Sequence, residues 1–360
     1  MRVQTDAGME GIGSVYSHPD LVRLIIEGHL RPLYLGRDPC DVEKLWELGY
    51  ALTRWYGRKG AAISALGGLD TALWDIRGKV AGKPIHELLG SQRHSVPVYA
   101  SALLWQDDPS SLAEEARRHL AAGFRAMKMR IGKGLEYDLA AVKVVRDAIG
   151  PDIKLMVDAG SRYSLAIAQR VASTLQAQNV FWFEEPLRPE DVAGYVALRP
   201  QSGVSLAAGE NEFGVQGFRD FIQNDAVDIV QPDCSRSGGI TECRRIGLLA
   251  VDHGLRVATH TWSDAVALVA NMHLIASLDT GIFVESDQTG NPFITDLLAE
   301  PLEMTDGKVT LPPGPGLGIK LNQEALDRLS LPPGSMLPEG NYSDMVFGTR
   351  FFGPAKPYEA

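Results

Sequence analysis

Eight short apolar segments, each followed by ten to sixteen residues of helical periodicity, run through the chain from about residue 96. Most of them are apolar throughout, which is typical of strands in a parallel sheet that helices cover on both faces. Eight strand–helix units of about 25 residues close most simply into a TIM-type barrel, and an open doubly wound sheet is the alternative. The predicted strands are Val96–Leu104, Phe124–Ile131, Ile153–Ala159, Val180–Pro186, Val204–Glu210, Ala226–Asp233, Arg256–His260 and Ile282–Ser286.

The sequence pattern divides the chain into three parts. Residues 1–92 show a hairpin and then helices, which indicates a small α+β domain. Residues 93–300 carry the barrel, and residues 301–360 are expected to return to the first domain and end in a surface strap from Met336. The elements predicted in the first domain are hairpin strands over Arg2–Thr5 and Ile12–Tyr16 and helices over Leu21–Ile26, Val42–Tyr56 and Ala61–Ala81.

Composition excludes several classes of partner. The 45 acidic residues outnumber the 35 basic ones, and the net charge of -10 repels nucleic acid and anionic lipid. The most apolar stretch, Asp264–Leu278, is interrupted by Asn271 and His273, so no membrane span is expected. Three cysteines without CxxC spacing favour neither disulfides nor a zinc ribbon. We therefore expect a cytoplasmic protein.

Charged or titratable side chains end seven successive predicted strands, from the second to the eighth. A single such residue is more often a helix N-cap or a solvated loop residue. In a TIM-type barrel, however, all of these positions converge on the C-terminal face, where barrel enzymes hold their active sites. The residues are Lys128 with Arg130, Asp158, Glu184, Glu210, Asp233, His260 and Glu285.

Three of the acidic residues, Asp158, Glu184 and Glu210, follow one another at intervals of 26 residues. They therefore lie on adjacent strands at equal depth, where carboxylates repel one another unless a cation joins them. Ligation by oxygen alone predicts Mg²⁺, with Mn²⁺ as a possible substitute. Glu185 is the alternative to Glu184, because strand alternation directs only one of two neighbours into the barrel.

The remaining strand-end residues predict a base and a binding site for an anion. Asp233 can hold one imidazole nitrogen of His260 while the other nitrogen faces a substrate, which suits a general base. The other seven histidines are interpreted as structural. Lys128 and Arg130 alternate by two and point the same way, which favours an anionic substrate over an ion pair that only closes the interior.

With these motifs the chain resembles the enolase superfamily, in particular its mandelate racemase branch. The similarity runs from about residue 40 to about residue 325. Each motif alone is weak, and together they are specific. The matching segments are Ala61–Gly90, Lys128–Arg130, Val157–Ala159, Trp182–Pro186, Gly209–Asn211, Asp233 with Gly238–Thr241, His260 and Pro315–Gly318.

The resemblance implies a (β/α)₇β barrel with an α+β capping domain formed from both chain ends. It also implies an enzyme in which a metal binds a substrate carboxylate while a base removes the α-proton, a step common to the superfamily. We also expect a homo-oligomer. The roles implied are metal ligands at Asp158, Glu184 and Glu210, a catalytic dyad of His260 and Asp233, a substrate contact at Lys128, and a hydrogen-bond donor or electrophile at Glu285.

Four departures from the family pattern affect the expected chemistry. Arg130 stands where a second lysine is usual, and Gly160 where an asparagine is usual. The eighth strand ends in Val284–Ser286 instead of a Glu-Pro sequence. The first cap strand and the mobile specificity loop of the family would precede Arg2, so we expect either a shortened cap or a start codon assigned too late. An arginine is a poor base, and racemisation by two opposed bases is therefore disfavoured.

The expected reaction is dehydration of a small anionic sugar acid to a 2-keto-3-deoxy acid, which makes the protein a hydro-lyase. Cycloisomerisation of a sugar-acid lactone is the nearest alternative, and racemisation or epimerisation of a 2-hydroxy acid is another. A non-catalytic binding barrel is disfavoured, because all five residues of the metal triad and the dyad are present. No GxGxxG motif lies between a strand and a helix at Gly11–Gly13, so a dinucleotide site is not expected.

Overall fold

The structure, a computed structural model, describes residues 1–331. Its N-terminal part is an antiparallel hairpin followed by helices. The hairpin strands are β1 (Arg2–Gln4) and β2 (Glu10–Ile12). The helical elements are α1 (Pro19–Ile25), a π-helical turn (Ile26–Leu30), α2 (Arg31–Tyr34), α3 (Val42–Thr53), α4 (Ala61–Ala81) and α5 (Ile85–Leu88).

The second hairpin strand ends earlier than the predicted Ile12–Tyr16. Its ladder with β1 stops at Ile12. Gly13 still exchanges two hydrogen bonds with Met1, and beyond it the backbone turns towards the barrel, where the N–H of Tyr16 donates a hydrogen bond to the carbonyl of Ser235 at 3.0 Å. A contact with a distant loop therefore satisfies backbone groups that the prediction had paired within the hairpin.

Helix α4 has the predicted bounds and is buried along almost its whole length. It ends at Gly82, whose left-handed conformation (φ +65°) is the usual helix C-cap. Trp74 donates to the hydroxyl of Thr241 at 2.9 Å, and the N–H of Thr241 donates to Asp70 at 2.9 Å. These two contacts attach the N-terminal part to the barrel.

Eight parallel strands form the barrel. Each pairs with the next, and the last pairs with the first through the register Val284 to Val98. The sheet is therefore closed, which confirms the TIM-type barrel and excludes the open doubly wound sheet. The strands are β3 (Ser95–Ser101), β4 (Ala126–Arg130), β5 (Lys154–Asp158), β6 (Val180–Glu184), β7 (Ser205–Ala208), β8 (Ile229–Val230), β9 (Arg256–Thr259) and β10 (Gly281–Asp287).

One long helix joins each barrel strand to the next, which gives the (β/α)₇β order. A 3₁₀ turn, Pro109–Ser111, precedes the first of them. None of the helices in residues 1–331 is both long and apolar enough to cross a membrane. The seven helices are α6 (Leu112–Ala121), α7 (Leu135–Ile149), α8 (Leu165–Ala177), α9 (Val192–Ser202), α10 (Gly214–Gln223), α11 (Gly239–Asp252) and α12 (Ala265–Ala276).

One inward side chain from every strand belongs to an apolar cluster inside the barrel. Together these side chains form a closed apolar layer beneath the C-terminal strand ends, as is typical of the fold. Charged groups at the strand ends therefore lie next to an apolar layer of low dielectric constant, where electrostatic interactions are strong. The residues of the layer are Tyr99, Ala126, Met156, Trp182, Ala207, Ile229, Ala258 and Phe283.

Strand β8 is shorter than the predicted Ala226–Asp233. Only Ile229–Val230 belongs to the parallel ladder. The N–H of Gln231 still donates to the carbonyl of Ala208 at 2.9 Å, but the next residue, Pro232, has no N–H to continue the pairing. Asp233 consequently stands in a turn beyond the strand.

The segment after the barrel contains α13 (Pro292–Thr295), β11 (Met304–Thr305), β12 (Lys308–Thr310) and α14 (Gln323–Leu329). Strand β12 pairs antiparallel with β3, and Leu317 N–H donates to Asp75 of α4 at 2.9 Å. This segment therefore contacts both the barrel and the N-terminal part. The boundaries at residues 92 and 300 stay predictions, and the tail from Met336 lies outside the described residues.

Candidate active site

The three acidic residues predicted as metal ligands meet at the C-terminal end of the barrel. Asp158 and Glu184 are the last residues of β5 and β6 and are paired in register. Glu210 lies two residues beyond β7. One carboxylate oxygen of each lies within 4.8 Å of the others. Gly209 permits this turn, since a Cβ there would lie 2.9 Å from the backbone nitrogen of Gln231 and φ is +143°.

Two cations of β4, the buried Lys128 and the partly buried Arg130, face these carboxylates, as the alternation predicted. Lys128 Nζ contacts Glu184 Oε1, and it lies 2.8 Å from Glu285 Oε1 and 3.7 Å from Asp158 Oδ2. Arg130 Nη1 lies 2.8 Å from Asp158 Oδ2. The register places Arg130 directly beside Asp158 on the neighbouring strand. The cations therefore offset part of the negative charge at the strand ends.

The charges at this end of the barrel shift the pKa values of the carboxyl groups in opposite directions. Burial, with smaller contributions from the charges of Asp158 and Glu210, raises the pKa of Glu184 to about 8 against the opposing effect of Lys128. Burial also acts to raise the pKa of Glu210, but His260, Lys128 and Arg130 together lower it to about 2. The surroundings therefore favour the charged form of Glu210 and disfavour the charged form of Glu184.

The predicted His–Asp pair is formed beside this cluster. His260 follows β9 directly, and its Nδ1 lies 2.8 Å from Asp233 Oδ2. Its Nε2 faces the carboxylates, 3.6 Å from Glu210 Oε2 and 3.9 Å from Glu285 Oε2. Burial acts to lower the pKa of His260, but the carboxylates of Glu210, Glu285 and Asp233 raise it to about 9.

Several side chains that hold the site were not predicted. Asn271 of α12 donates to the carbonyl of His260 at 3.0 Å and to Thr261 Oγ1 at 2.8 Å. Ser235 N–H and Oγ donate to Asp233 Oδ1 at 2.8 and 2.7 Å. Asn271 is visible in the sequence as a polar residue inside the most apolar stretch, and a buried polar residue must find partners. Ser235 gives no such signal.

Glu184 is held from below by two donors. Trp182 Nε1 donates to Glu184 Oε2 at 2.9 Å, and Gln231 Nε2 donates to the same oxygen at 2.7 Å. These contacts orient one carboxylate oxygen and leave Oε1 on the side of Lys128. Trp182 thus has two roles, because it also belongs to the apolar layer.

Glu185, the alternative to Glu184, is also buried but takes a different direction. Its φ of +34° turns the chain at the end of β6. Its Oε2 accepts hydrogen bonds from Ser161 at 3.0 Å and Asn211 at 2.7 Å. Burial, with the nearby charge of Glu210, raises the pKa of Glu185 to about 7. Glu184, which belongs to the cluster of three carboxylates, remains the better candidate ligand.

The residues present fit a hard divalent cation. Asp158, Glu184 and Glu210 offer three oxygen ligands and no nitrogen or sulfur, the donor set that Mg²⁺ prefers. Within residues 1–331, the buried atoms Asp158 Oδ2 and Glu285 Oε1 have ion-pair contacts with Arg130 and Lys128 but accept no hydrogen bond of good geometry. A bound cation would use the negative charge that Lys128 and Arg130 leave uncompensated.

The N-terminal part reaches the site through Tyr16. Its ring centroid lies 6.0 Å from that of His260, and the guanidinium of Arg236 lies 5.0 Å from the Tyr16 ring. Arg236 in turn donates to Asn211 Oδ1 at 3.2 Å. No sequence motif marks Tyr16, because its position depends on the turn after β2.

Comparison with known proteins identifies the family and agrees with the fold. Residues 1–90 match the N-terminal domain of the mandelate racemase / muconate lactonizing enzyme family, and residues 111–325 match the family described as enolase C-terminal domain-like. A D-galactarolactone cycloisomerase from Agrobacterium fabrum is 38% identical over 310 residues, 83% of this chain and 82% of that protein. An arabinonate dehydratase from Saccharolobus solfataricus is 33% identical over 324 residues, 89% of this chain and 87% of that protein.

A solved structure carries the same architecture with a metal and a sugar acid. The crystal structure of L-talarate dehydratase from Polaromonas sp. JS666, complexed with Mg and L-glucarate, has a TM-score of 0.82 and 32% identity. The match covers 91% of this chain and 90% of that chain. The chain therefore belongs to the enolase superfamily, in its mandelate racemase / muconate lactonizing enzyme branch.

Proposed function

We propose that the protein removes the proton α to the carboxylate of a sugar acid and expels the β-hydroxyl, giving a 2-keto-3-deoxy acid. The observation that carries this proposal is the placement of one imidazole. His260 is fixed by Asp233 at 2.8 Å, and its second nitrogen faces the carboxylate cluster. On the β4 side of the cluster stands Arg130, which cannot serve as a second base.

The metal would be Mg²⁺ held by Asp158, Glu184 and Glu210, and when bound it supplies positive charge that stabilises the negative charge developing on the substrate carboxylate. Lys128 would add a second positive charge on the same side. Arg130 would bind substrate oxygens, since its planar guanidinium presents several donors in a fixed geometry.

Proton transfer would be the work of His260. In the neutral imidazole, with Nδ1–H donated to Asp233, Nε2 carries the free lone pair that accepts the α-proton. Asp233 then stabilises the imidazolium that forms. If the β-hydroxyl leaves from the same face, the imidazolium returns its proton to that oxygen, so one histidine serves as base and then as acid.

Cycloisomerisation of a sugar-acid lactone is the second candidate. The relative from Agrobacterium fabrum, named a D-galactarolactone cycloisomerase, favours it. That reaction begins with the same proton transfer and differs only in the oxygen that leaves. Racemisation of a 2-hydroxy acid needs a proton delivered from the opposite face, where Arg130 offers no base. A non-catalytic binding barrel would not need the complete triad and dyad.

The experiment is a screen of the purified protein with Mg²⁺ against mono- and diacid sugars and their lactones, with 2-keto acid as the readout. NMR of the mixture separates loss of water from lactone opening. Clean epimerisation at C2, with no 2-keto acid formed, would overturn the proposal in favour of a racemase.

His260→Asn tests the assigned base. We expect it to lower turnover by about 10³-fold or more and to stop exchange of the α-proton in deuterated water. His253→Asn, at an exposed site on the end of α11, is the matched control and should leave both rates unchanged. Exchange at the native rate in His260→Asn would make Lys128 the base instead.

Three further parts of the proposal concern the setting of the enzyme. Mn²⁺ would substitute for Mg²⁺ at the same three oxygens, because it shares the preference for oxygen ligands. The protein would be a homo-oligomer in the cytoplasm. Activity with each metal and sedimentation of the purified protein test the first two parts.

A further inference from the structure

Gly160 and Arg130 contact different oxygens of the Asp158 carboxylate. Gly160 follows β5 by two residues, has φ +54°, and its N–H donates to Asp158 Oδ1 at 2.8 Å. Arg130 Nη1 approaches the other oxygen, Oδ2, at 2.8 Å. A backbone N–H and a guanidinium thus hold the two oxygens of one carboxylate, the first in the triad.

The guanidinium occupies the space that any side chain at position 160 would need. A Cβ built on Gly160 would lie 2.7 Å from Arg130 Nη1 and 3.8 Å from Arg130 Cζ. The distance to Nη1 is much shorter than a van der Waals contact, which begins at about 3.5 Å, and the distance to Cζ is an ordinary contact. Only the tip of the arginine conflicts with a side chain at 160.

We propose that Gly160 is the positioning residue for Arg130: the absence of a side chain there allows the guanidinium to rest on Asp158 and fixes the direction of its donors. Any Cβ at 160 moves Nη1 away from Asp158 Oδ2 and reorients those donors. The part that concerns substrate binding rests on the proposed function. The part that concerns the contact between Arg130 and Asp158 does not.

The conflict at the arginine tip makes residues 130 and 160 interdependent. A lysine at 130 is shorter than an arginine and ends near the present position of Cζ, where a Cβ at 160 makes only ordinary contact. Crowding should therefore disappear when Arg130 is replaced by lysine. What remains is the cost of a non-glycine residue at positive φ, which is independent of residue 130.

The experiment compares four proteins: the native chain, Gly160→Ala, Arg130→Lys and the double variant. Gly82→Ala is the matched control, because Gly82 has φ +65° and open space around its Cβ position. Urea unfolding of the metal-free proteins measures the coupling without any substrate. In the native background, we expect Gly160→Ala to raise the unfolding constant about tenfold more than Gly82→Ala does. In the Arg130→Lys background, we expect Gly160→Ala to raise the unfolding constant no more than Gly82→Ala does.

Kinetics with an accepted sugar acid give the second readout. Gly160→Ala should lower kcat/KM about tenfold in the native background, mainly by raising KM, and less than twofold in the Arg130→Lys background. A crystal structure of Gly160→Ala should show Arg130 Nη1 displaced from Asp158. A role in backbone flexibility alone predicts equal losses in both backgrounds and an undisturbed contact.

Equal and additive effects in both backgrounds, or an Nη1 still within about 3 Å of Asp158 Oδ2, overturn the proposal even if the enzyme is a dehydratase. Absence of any sugar-acid turnover overturns the proposed function, while the unfolding cycle still tests the positioning role. If Gly160→Ala does not fold, the double variant decides, because the proposal requires that it fold as Arg130→Lys does.

Discussion

Two clusters of buried polar groups differ in how well their members are paired: one lies at the C-terminal end of the barrel, and the other lies at the junction where α5 packs against α12. At the junction, the backbone N–H of His86 donates to His273 Nδ1 at 3.2 Å, and the two rings stack at 5.2 Å. The Nε2 of His273 then carries the proton and faces the carbonyl of Leu317 at 3.3 Å. Burial lowers the pKa of His273 to about 3 and keeps it neutral.

Asp75 has a similar role on the other side of this junction. Its Oδ1 accepts the N–H of Leu317 at 2.9 Å, and its Oδ2 accepts the N–H of Ile12 at 3.0 Å and a contact from Lys79 at 2.7 Å. One carboxylate thus joins β2, α4 and the turn after β12. Every charge here has its partner within the chain.

The difference between the two regions separates structural polar groups from reactive ones. At the junction, neutral histidines and a fully bonded aspartate hold segments together. At the barrel end, carboxylates are crowded without enough donors, which is unfavourable for folding and useful for binding a cation. Substitutions at the junction should therefore cost stability, and substitutions at the barrel end should cost activity.

The largest expected effect is that of Glu184→Gln. The variant keeps the shape of the side chain but removes one ligand charge, so we expect turnover to fall about 10³-fold or more and Mg²⁺ affinity to fall with it. Stability of the metal-free protein should change less than it does in Asp75→Ala, because relief of the repulsion with Asp158 and Glu210 offsets the loss of the contact with Lys128. Calorimetric Mg²⁺ titration and urea unfolding measure the two quantities.

Glu114→Gln, on the exposed face of α6, is the matched control and should change neither property. Native Mg²⁺ affinity in Glu184→Gln would remove that residue from the ligand set and bring Glu185 back as the alternative.

The next effect is that of Asp75→Ala on stability. It leaves the buried N–H groups of Ile12 and Leu317 without acceptors, and at about 1–3 kcal/mol for each group we expect a loss of about 3 kcal/mol. Turnover per folded molecule should not change. Asp147→Ala, which removes an exposed ion pair with Lys143, should cost less than about 1 kcal/mol in the same urea experiment. Equal losses of unfolding free energy in Asp75→Ala and Asp147→Ala would show that Asp75 does not hold these segments together.

The smallest effect concerns pH. His273 binds a proton at its ordinary pKa of 6.5 in the unfolded chain and only near pH 3 in the fold, so acid favours the unfolded chain. Its contribution is complete above pH 6.5 and is lost as the pH falls towards 3. Between pH 7.5 and 5.5 this amounts to about 1.4 kcal/mol.

Comparison with His273→Asn isolates this contribution, since all other titrating groups are shared. From pH 7.5 to pH 5.5, the free energy of unfolding should fall further in the native protein than in the variant. If the free energy of unfolding depends on pH identically in both proteins, His273 binds a proton as readily in the fold as in the unfolded chain.

Much of the fold could be predicted because each strand is a separate apolar segment with its own helix. The strand-end residues followed from that periodicity, because the carboxyl ends of parallel strands meet at one face. The wrong predictions concern strand ends that a single residue or a single distant contact determines. Pro232 ends β8, and Tyr16 leaves the hairpin to contact Ser235.

Other features could not be predicted from local pattern. The pairing of His86 with His273 joins segments far apart in the sequence, and each residue alone looks like an isolated buried histidine. Strand alternation indicated that only one of Glu184 and Glu185 faces inward, yet the positive φ of Glu185 buries both. The space conflict between Arg130 and Gly160 needs coordinates, although both residues stood out as departures from the family pattern.

The sharing of one edge of β3 has a consequence for synthesis of the chain. The first half of that edge pairs with β12 and the second half with β10. Both partners are translated long after β3, and at about 5–20 residues per second the edge stays open for on the order of ten seconds or more. An unpaired edge can join another nascent chain, and Pro97, which offers no N–H, interrupts it there. The exposed edge of β3 therefore stays unpaired through most of synthesis, until β10 and β12 emerge and pair with it.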